Sequence, residues 1–166
     1  ANKSDESIAM GILKKEKHNF VDNIKDAEVL ILLTCTVIGT TEQRMLSRLR
    51  VFKKTNKKII VAGCMPQVQS ALIQSIVPNA SLVPPQHIHH INDVLEGKKI
   101  HFQKETKKNI PKYFKEISAP IAIAKGCMFS CTYCITRFAR GHLQSLSQDT
   151  IISDVKQAVR QGCKEI

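Results

Sequence analysis

Two short apolar runs, each followed directly by a cysteine, constrain the fold of this chain more than any other feature. The runs cover residues 29–34 and 58–63, and their apolar continuity is typical of strands buried on both faces of a parallel sheet. Carboxyl ends of neighbouring parallel strands converge on the crevice where such sheets bind ligands, so we expect Cys35 and Cys64 to lie close together. Two buried thiols that pack as small apolar side chains are the alternative.

Segments with helical spacing of apolar residues alternate with these strands. They cover residues 4–17, 40–54, 66–73 and 88–95. A third, short strand is predicted at residues 81–83. This alternation predicts an α/β domain with a parallel sheet over residues 1–97, with its first helix capped by Ser4. Residues 98–118 are polar, rich in lysine and without periodicity, which predicts a basic linker.

A second unit is predicted over residues 119–166. Residues 120–124 have the pattern of a short strand, a cysteine-rich loop follows, and Ser147 begins a helix that ends at Gly162. The last three residues have the pattern of another strand. One strand and one helix cannot bury a sheet of their own, so we expect this unit to be the truncated start of a second domain.

Positive charge is concentrated in two stretches of the chain, which has 166 residues and a net charge of +11. Residues 44–58 hold seven basic residues and no acidic one, and residues 98–118 hold seven basic and two acidic residues. A localised basic field favours a polyanionic partner such as nucleic acid, whereas solvated lysine-rich surfaces are the alternative. The exposed basic positions are predicted to include Arg44, Arg48 and Lys54 on a helix and Lys104, Lys107, Lys108 and Lys112 in the linker.

The chain has six cysteines, and those that cluster are expected to serve metal or redox chemistry rather than disulfides. No secretory signal is visible and no apolar run approaches the ~18 residues of a membrane span, so we expect a cytoplasmic, reducing location and no membrane association. The chain begins with Ala1 rather than Met, and we expect a fragment or a processed form.

Three of the cysteines form a CxxxCxxC loop directly after a predicted strand. Cys127, Cys131 and Cys134 offer soft thiolate ligands, which suit an iron–sulfur cluster or zinc. Three protein ligands leave one iron of a four-iron cluster open to a ligand that is not protein. A zinc site with a fourth ligand from elsewhere, such as His142, is the alternative.

This loop resembles the signature of the radical S-adenosylmethionine (SAM) enzymes. The resemblance implies that Cys127, Cys131 and Cys134 hold a 4Fe–4S cluster whose open iron chelates SAM. It also implies that Tyr133 lies near the adenine of SAM. In such enzymes, one-electron reduction cleaves SAM and the resulting 5′-deoxyadenosyl radical abstracts hydrogen from an unactivated carbon.

Further segments narrow the resemblance to the methylthiotransferases, and it extends over essentially the whole chain. They are residues 2–6 (NKSDE), 34–37 (TCTV), 63–66 (GCMP) and 138–145 (FARGHLQS). The last resembles the archaeal and eukaryotic branch, which methylthiolates C2 of N6-threonylcarbamoyladenosine at position 37 of tRNA. This implies a flavodoxin-like N-terminal domain followed by the start of a radical-SAM (β/α) barrel.

The resemblance also implies a second 4Fe–4S cluster, on Cys35, Cys64 and a third cysteine that would lie upstream of Ala1. Because later barrel strands and an RNA-binding barrel would also be missing, we expect this fragment alone to be inactive. The implied partners are tRNA and a reductant protein such as a flavodoxin or ferredoxin. A non-catalytic, zinc-containing RNA-binding module and a radical-SAM enzyme with another substrate are the alternatives.

Other side chains give weaker signals. Cys163, at a predicted helix end, is expected to be structural and buried. Arg137 and Arg140 follow the cysteine loop, where they would either contact an anion such as SAM, a sulfur intermediate or RNA phosphate, or form ordinary surface charge. His87, His89 and His90 are expected to be solvated in a polar loop rather than to bind a metal.

Overall fold

A three-stranded parallel sheet organises the first part of the protein, whose computed structural model describes residues 2–98 and 110–166. The strands are β1 (Val29–Thr34), β2 (Lys58–Gly63) and β3 (Ser81–Val83), in that order across the sheet. β1 and β2 pair over their full length, so that the last residue of one lies beside the last residue of the other. The predicted α/β class with a parallel sheet is confirmed, and the architecture is compatible with a flavodoxin-like domain.

Helices cover both faces of this sheet. One apolar cluster packs Leu46 and Leu49 against β1 and β2, and the other packs Ile8 and Leu13 against the opposite face. Alternate residues of β1 are buried, while the central strand β2 is buried over nearly all of its length. The helices are α1 (Asn2–Lys15), α2 (Gly39–Lys53), α3 (Cys64–Val68), α4 (Ser70–Ile76), a 3₁₀ helix (Pro85–His90) and α5 (Ile91–Leu95).

The second part of the chain contains two short strands and two helices: β4 (Ala124–Lys125), α6 (Ile135–Arg140), β5 (Gln144–Ser145) and α7 (Gln148–Arg160). β4 and β5 pair antiparallel. A parallel bridge joins Ser118 to Glu165, on either side of α7. The predicted strand at 120–124 is therefore reduced to β4, because only short stretches of the described chain supply it with backbone partners. The predicted cap of α7 is confirmed, since the Ser147 side chain accepts a hydrogen bond from the Thr150 amide.

The segment from residue 110 to 118 packs between α1 and α7. The Tyr113 amide donates to the Ser7 carbonyl at 2.8 Å, and the Lys112 ammonium forms a buried ion pair with Asp154. The prediction that Lys112 is freely available in a linker is therefore wrong. Residues 99–109, with Lys104, Lys107 and Lys108, lie outside the described residues, and the division at 97 and 118 stays a prediction.

The first helix begins earlier than the sequence predicts. Ser4 is buried inside α1 rather than capping it, and its carbonyl accepts a hydrogen bond from Ser7 Oγ at 2.9 Å. Among the described residues, no helix combines the length and the apolar character that crossing a membrane requires.

Candidate functional site

Cys35 and Cys64 follow the paired ends of β1 and β2. Thr34 and Gly63 are partners in the sheet register, so the cysteines that follow them lie next to each other at the carboxyl ends of the two strands. Cys64 is buried and Cys35 is half-buried. Burial, and to a lesser extent the charge of the nearby Cys35 thiol, raise the pKa of the Cys64 thiol. The sheet therefore brings together the two isolated cysteines that the strand pattern predicts to converge.

A close backbone approach shapes this edge of the sheet. Gly63 has a φ of +96°, and a Cβ on it would stand 2.5 Å from the Thr34 carbonyl oxygen. Thr34 Oγ1 donates to the Ala62 carbonyl at 2.8 Å and accepts from the Met65 amide at 3.2 Å. These contacts turn the chain sharply into α3, so that Cys64 begins a helix instead of continuing the strand.

Arg140, the last residue of α6, reaches this pair of cysteines. Its Nε donates to Cys64 Sγ at 3.2 Å, and its Nη2 donates to Asp5 Oδ2 at 2.6 Å. Burial raises the pKa of the Cys64 thiol, while the charge and hydrogen bond of Arg140 oppose that rise. Of the two alternatives for Arg140, plain surface charge is wrong, because its side chain is only 10% exposed.

The CxxxCxxC loop lies between β4 and α6. The Cys127 amide donates to the Gly141 carbonyl, and the Cys127 carbonyl accepts from the Leu143 amide, both at 3.1 Å. Cys134 is the residue before α6, and its amide donates to the Cys131 carbonyl at 3.2 Å. Backbone hydrogen bonds thus anchor both ends of a loop in which Cys131 is exposed and the other two cysteines are half-buried.

The donor chemistry of this loop fits an iron–sulfur cluster. Hydrogen bonds from Thr136, through its side chain and its backbone, and from the backbone of Arg137 lower the pKa of the Cys134 thiol. A lowered pKa favours the thiolate, which is the form that binds metal. Cys131 is exposed, so at least one of the three thiols is accessible from solvent.

The two sets of cysteines are linked through α6. This helix begins directly after Cys134, and its last residue, Arg140, contacts Cys64. The Gln86 side-chain amide holds the same helix by donating to the Ala139 carbonyl at 3.0 Å. The loop and the sheet edge therefore belong to one connected region.

The remaining predicted residues lie around this region or apart from it. Tyr133 is 89% exposed, and Arg137 contacts the His142 ring nitrogen at 3.4 Å. Cys163 is buried beside Phe114, as predicted. The three histidines are half-buried on the 3₁₀ helix, so the prediction of a solvated loop is wrong.

The basic side chains of residues 44–58 divide into two kinds. Arg44, Arg48 and Lys54 are exposed, as predicted. Lys57 instead donates to the backbone carbonyls of residues 24, 25 and 27 at 2.5–2.8 Å. Its charge stabilises the loop before β1, so it is a structural lysine.

Sequence reasoning missed Asp5 as part of the site, although it included the residue in the segment NKSDE (residues 2–6), which supports the family resemblance. Asp5 is 1% exposed and pairs with Arg140 across 135 positions of the chain. The signal for its burial was present, because Asp5 shares the helical face of Ile8 and Ile12. Its partner could not be read from that spacing.

A comparison with known proteins identifies the family. The profile of the uncharacterized protein family UPF0004 matches residues 1–84. The chain belongs to this family. Those residues contain the sheet, Asp5, Cys35 and Cys64.

Curated relatives match 99% of the chain. A protein of Methanothermobacter thermautotrophicus named probable threonylcarbamoyladenosine tRNA methylthiotransferase is 34% identical to it. The human threonylcarbamoyladenosine tRNA methylthiotransferase is 31% identical, and a tRNA-2-methylthio-N(6)-dimethylallyladenosine synthase of Thermodesulfovibrio yellowstonii is 32% identical. The chain spans 41% of the archaeal and bacterial proteins and 31% of the human one.

Proposed function

We propose that this UPF0004 chain is part of a radical-SAM enzyme that methylthiolates C2 of N6-threonylcarbamoyladenosine at position 37 of tRNA. The observation that carries the proposal is the connection from the CxxxCxxC loop through α6 and Arg140 to Cys64. It brings three thiols suited to one cluster into the same region as two thiols suited to another. The names of the archaeal and human relatives support the reaction and the substrate.

In this proposal, Cys127, Cys131 and Cys134 hold a 4Fe–4S cluster, with Tyr133 beside the adenine of SAM. When bound, cluster and SAM supply the radical that removes hydrogen from C2. The loop's own contribution is to fix three thiolates by its backbone hydrogen bonds and to lower the pKa of Cys134. Residues 119–166 would then form the start of the (β/α) barrel. The parallel bridge between Ser118 and Glu165 around α7 supports that assignment.

Cys35 and Cys64 would hold a second 4Fe–4S cluster together with a third cysteine outside this chain. Their adjacent positions at the sheet edge suit a shared cluster. The Arg140 guanidinium offsets the negative charge that deprotonated thiols bring to a buried place. A third ligand from elsewhere in the protein is needed, so this chain alone would bind that cluster incompletely.

The proposed partners are tRNA and a reductant protein of the flavodoxin or ferredoxin type, and the proposed location is the cytoplasm. The exposed basic side chains of α2 and the turn after it would contact tRNA phosphates. Such contacts position the substrate, whereas the chemistry at C2 selects the modified base.

The test is mass spectrometry of tRNA from a strain that lacks the gene, complemented with the full-length protein or its variants. The wild-type gene should restore 2-methylthio-N6-threonylcarbamoyladenosine, and Cys131→Ala should not. Cys163→Ala is the matched control, because that thiol is buried in a small apolar cluster away from the loop.

Each other outcome has a defined meaning. If complementation instead restored 2-methylthio-N6-dimethylallyladenosine, the substrate would be N6-dimethylallyladenosine, as the name of the Thermodesulfovibrio relative indicates. Product formation by Cys131→Ala would overturn the cluster assignment. Zinc without iron or acid-labile sulfide in the anaerobically reconstituted protein would favour a non-catalytic RNA-binding module.

A further inference from the structure

Three imidazoles of the 3₁₀ helix, those of His87, His89 and His90, lie close together. One ring nitrogen of each lies within 4.8 Å of those of the other two. The ring centroids of His89 and His90 are 4.2 Å apart. Within residues 2–98 and 110–166, no other group of three or more histidine, cysteine or acidic side chains has its ligand atoms within this distance of one another.

The backbone that carries these histidines is firmly held. Ile88, inside the 3₁₀ helix, is 1% exposed, and Ile91, directly after it, is fully buried. Both pack against the sheet in the same apolar cluster as Ile8. Because these two isoleucines fix the helix against the sheet, the backbone of the histidines is already ordered. Ligand binding therefore costs less conformational entropy.

The environment of the ring nitrogens suits metal binding more than solvation. His87 Nδ1 and His89 Nε2 are shielded from solvent. His90 Nδ1 lies 3.0 Å from Asp93 Oδ2, and Lys98 Nζ lies 3.6 Å from the other oxygen of that carboxylate. A carboxylate that accepts a hydrogen bond from Nδ1 leaves the Nε2 lone pair of His90 available, as it does for histidines that bind metals.

We propose that His87, His89 and His90 bind one divalent transition-metal ion, with water completing the coordination. Imidazole suits zinc, copper and nickel, whereas magnesium and calcium select oxygen ligands. Zinc–nitrogen bonds of about 2.1 Å place the nitrogens of a tetrahedral site about 3.4 Å apart. The proposal requires the three nitrogens, now within 4.8 Å of one another, to approach to about that separation when the ion binds.

This site is independent of the proposed radical chemistry. It uses nitrogen ligands of a single short helix, whereas the cysteines offer sulfur from two other parts of the chain. A bound ion would cross-link residues 87–90 of the 3₁₀ helix, next to Gln86, whose side chain holds α6. Failure of this proposal would therefore leave the tRNA activity untouched, and the reverse also holds.

The test is a Zn²⁺ titration of the metal-free, reduced protein labelled with ¹⁵N in its histidine rings. Thiolates compete for zinc, so the measurement must resolve the individual histidines rather than the total zinc bound. We expect the ring resonances of His87, His89 and His90 to shift together and to saturate. His18, which is hydrogen-bonded to Asn92 at 2.7 Å, serves as the internal control.

Variants sharpen the result. His90→Gln should abolish the saturable shift of the other two rings, and Asp93→Asn should weaken zinc affinity about 10-fold or more, because that carboxylate orients His90. His18→Gln should leave the titration unchanged. The proposal fails if the three rings of the wild-type protein do not respond, or if they respond only in parallel with His18. The wild-type titration decides this even where a variant does not fold.

Discussion

Arg140 donates a hydrogen bond from Nε to the sulfur of Cys64 while its Nη2 binds the buried carboxylate of Asp5. The three residues come from α6, the start of α3 and α1. One guanidinium therefore connects the helix that follows the cysteine loop with the sheet domain.

The first prediction concerns this guanidinium. Arg140→Gln should lower the free energy of unfolding by about 3–5 kcal/mol, because it leaves the Asp5 carboxylate buried without its charge partner. Thermal and urea unfolding of the chain measure the loss. The double variant Asp5→Asn, Arg140→Gln should lose clearly less than the sum of the two single variants.

Arg137→Gln is the matched control. Arg137 lies on the same helix, and its side chain makes a solvent-exposed contact with the His142 ring nitrogen at 3.4 Å. Its replacement should change stability by no more than about 0.5 kcal/mol. Equal losses for the two arginine variants would contradict a specific role of the Arg140–Asp5 pair.

The second prediction concerns the packing of residues 110–112 on α1. A Cβ on Gly11 would stand 2.4 Å from the Pro111 carbonyl oxygen and 2.6 Å from the Lys112 backbone. Gly11→Ala should therefore destabilise the chain by about 1–3 kcal/mol, although alanine is the better helix former.

Gly39→Ala is the comparison for that variant. Gly39 begins α2, and nothing lies within 4 Å of a Cβ placed there. This change should be neutral or stabilising, by about 1 kcal/mol at most. If thermal unfolding showed that Gly11→Ala and Gly39→Ala both stabilise the chain, residues 110–112 would not pack closely against α1 at Gly11.

Sequence patterns predicted the sheet and the meeting of Cys35 with Cys64 because both depend on local rules. Continuous apolar runs mark buried parallel strands, and parallel strands bring their carboxyl ends to one edge. The cysteine loop is equally local, since its spacing and its position after a strand lie within one short segment. These features needed no knowledge of which surfaces pack together.

The contacts that sequence patterns missed join distant segments. Asp5 and Arg140, and likewise Lys112 and Asp154, are ion pairs whose members each look like ordinary surface charges. A helical spacing can place Asp5 on a buried face, but it does not reveal the cation that lies there. The histidines of the 3₁₀ helix were misjudged for a related reason: the burial of their backbone comes from Ile88 packing on a distant strand.

The third prediction concerns Lys125, just before the cysteine loop. Its pKa is lowered because burial disfavours the ammonium more than Asp5 favours it. The folded protein therefore loses this proton at a lower pH than the unfolded chain. The destabilising contribution of the buried Lys125 ammonium decreases as the pH rises from the folded pKa to the unfolded pKa. Lys125→Met removes the penalty. The variant should melt above the wild type at neutral pH, and its advantage should shrink as the pH approaches ~10.4, the ordinary lysine pKa.

Lys115→Met is the control for that pH series. The Lys115 side chain is 67% exposed and 3.6 Å from the fully exposed Asp22 carboxylate. Its replacement should shift the melting temperature little, and by the same small amount at each pH. A difference between wild type and Lys125→Met that does not change with pH would contradict the assigned cause.

The last prediction concerns the exposed basic side chains of α2 and the turn after it. Neutralising Arg44, Arg48 and Lys54 to Gln in the full-length protein should weaken tRNA binding without changing which base is modified, since phosphate contacts carry no sequence information. Each lost contact should flatten the dependence of log K on log salt by ~0.7–0.9. Affinity measured at several salt concentrations gives both quantities.

The control removes the same charge elsewhere, with Lys15, Lys17 and Lys25 changed to Gln, all of them exposed. If the tRNA contacts are confined to α2 and the turn after it, this variant keeps the wild-type slope of log K against log salt and most of the tRNA affinity. If only net charge matters, the two triple variants weaken binding equally. Lys57 is left intact in both, because it holds three backbone carbonyls and its loss would disturb the fold rather than the RNA contact. An unchanged slope for the first variant would remove Arg44, Arg48 and Lys54 from the RNA-binding surface.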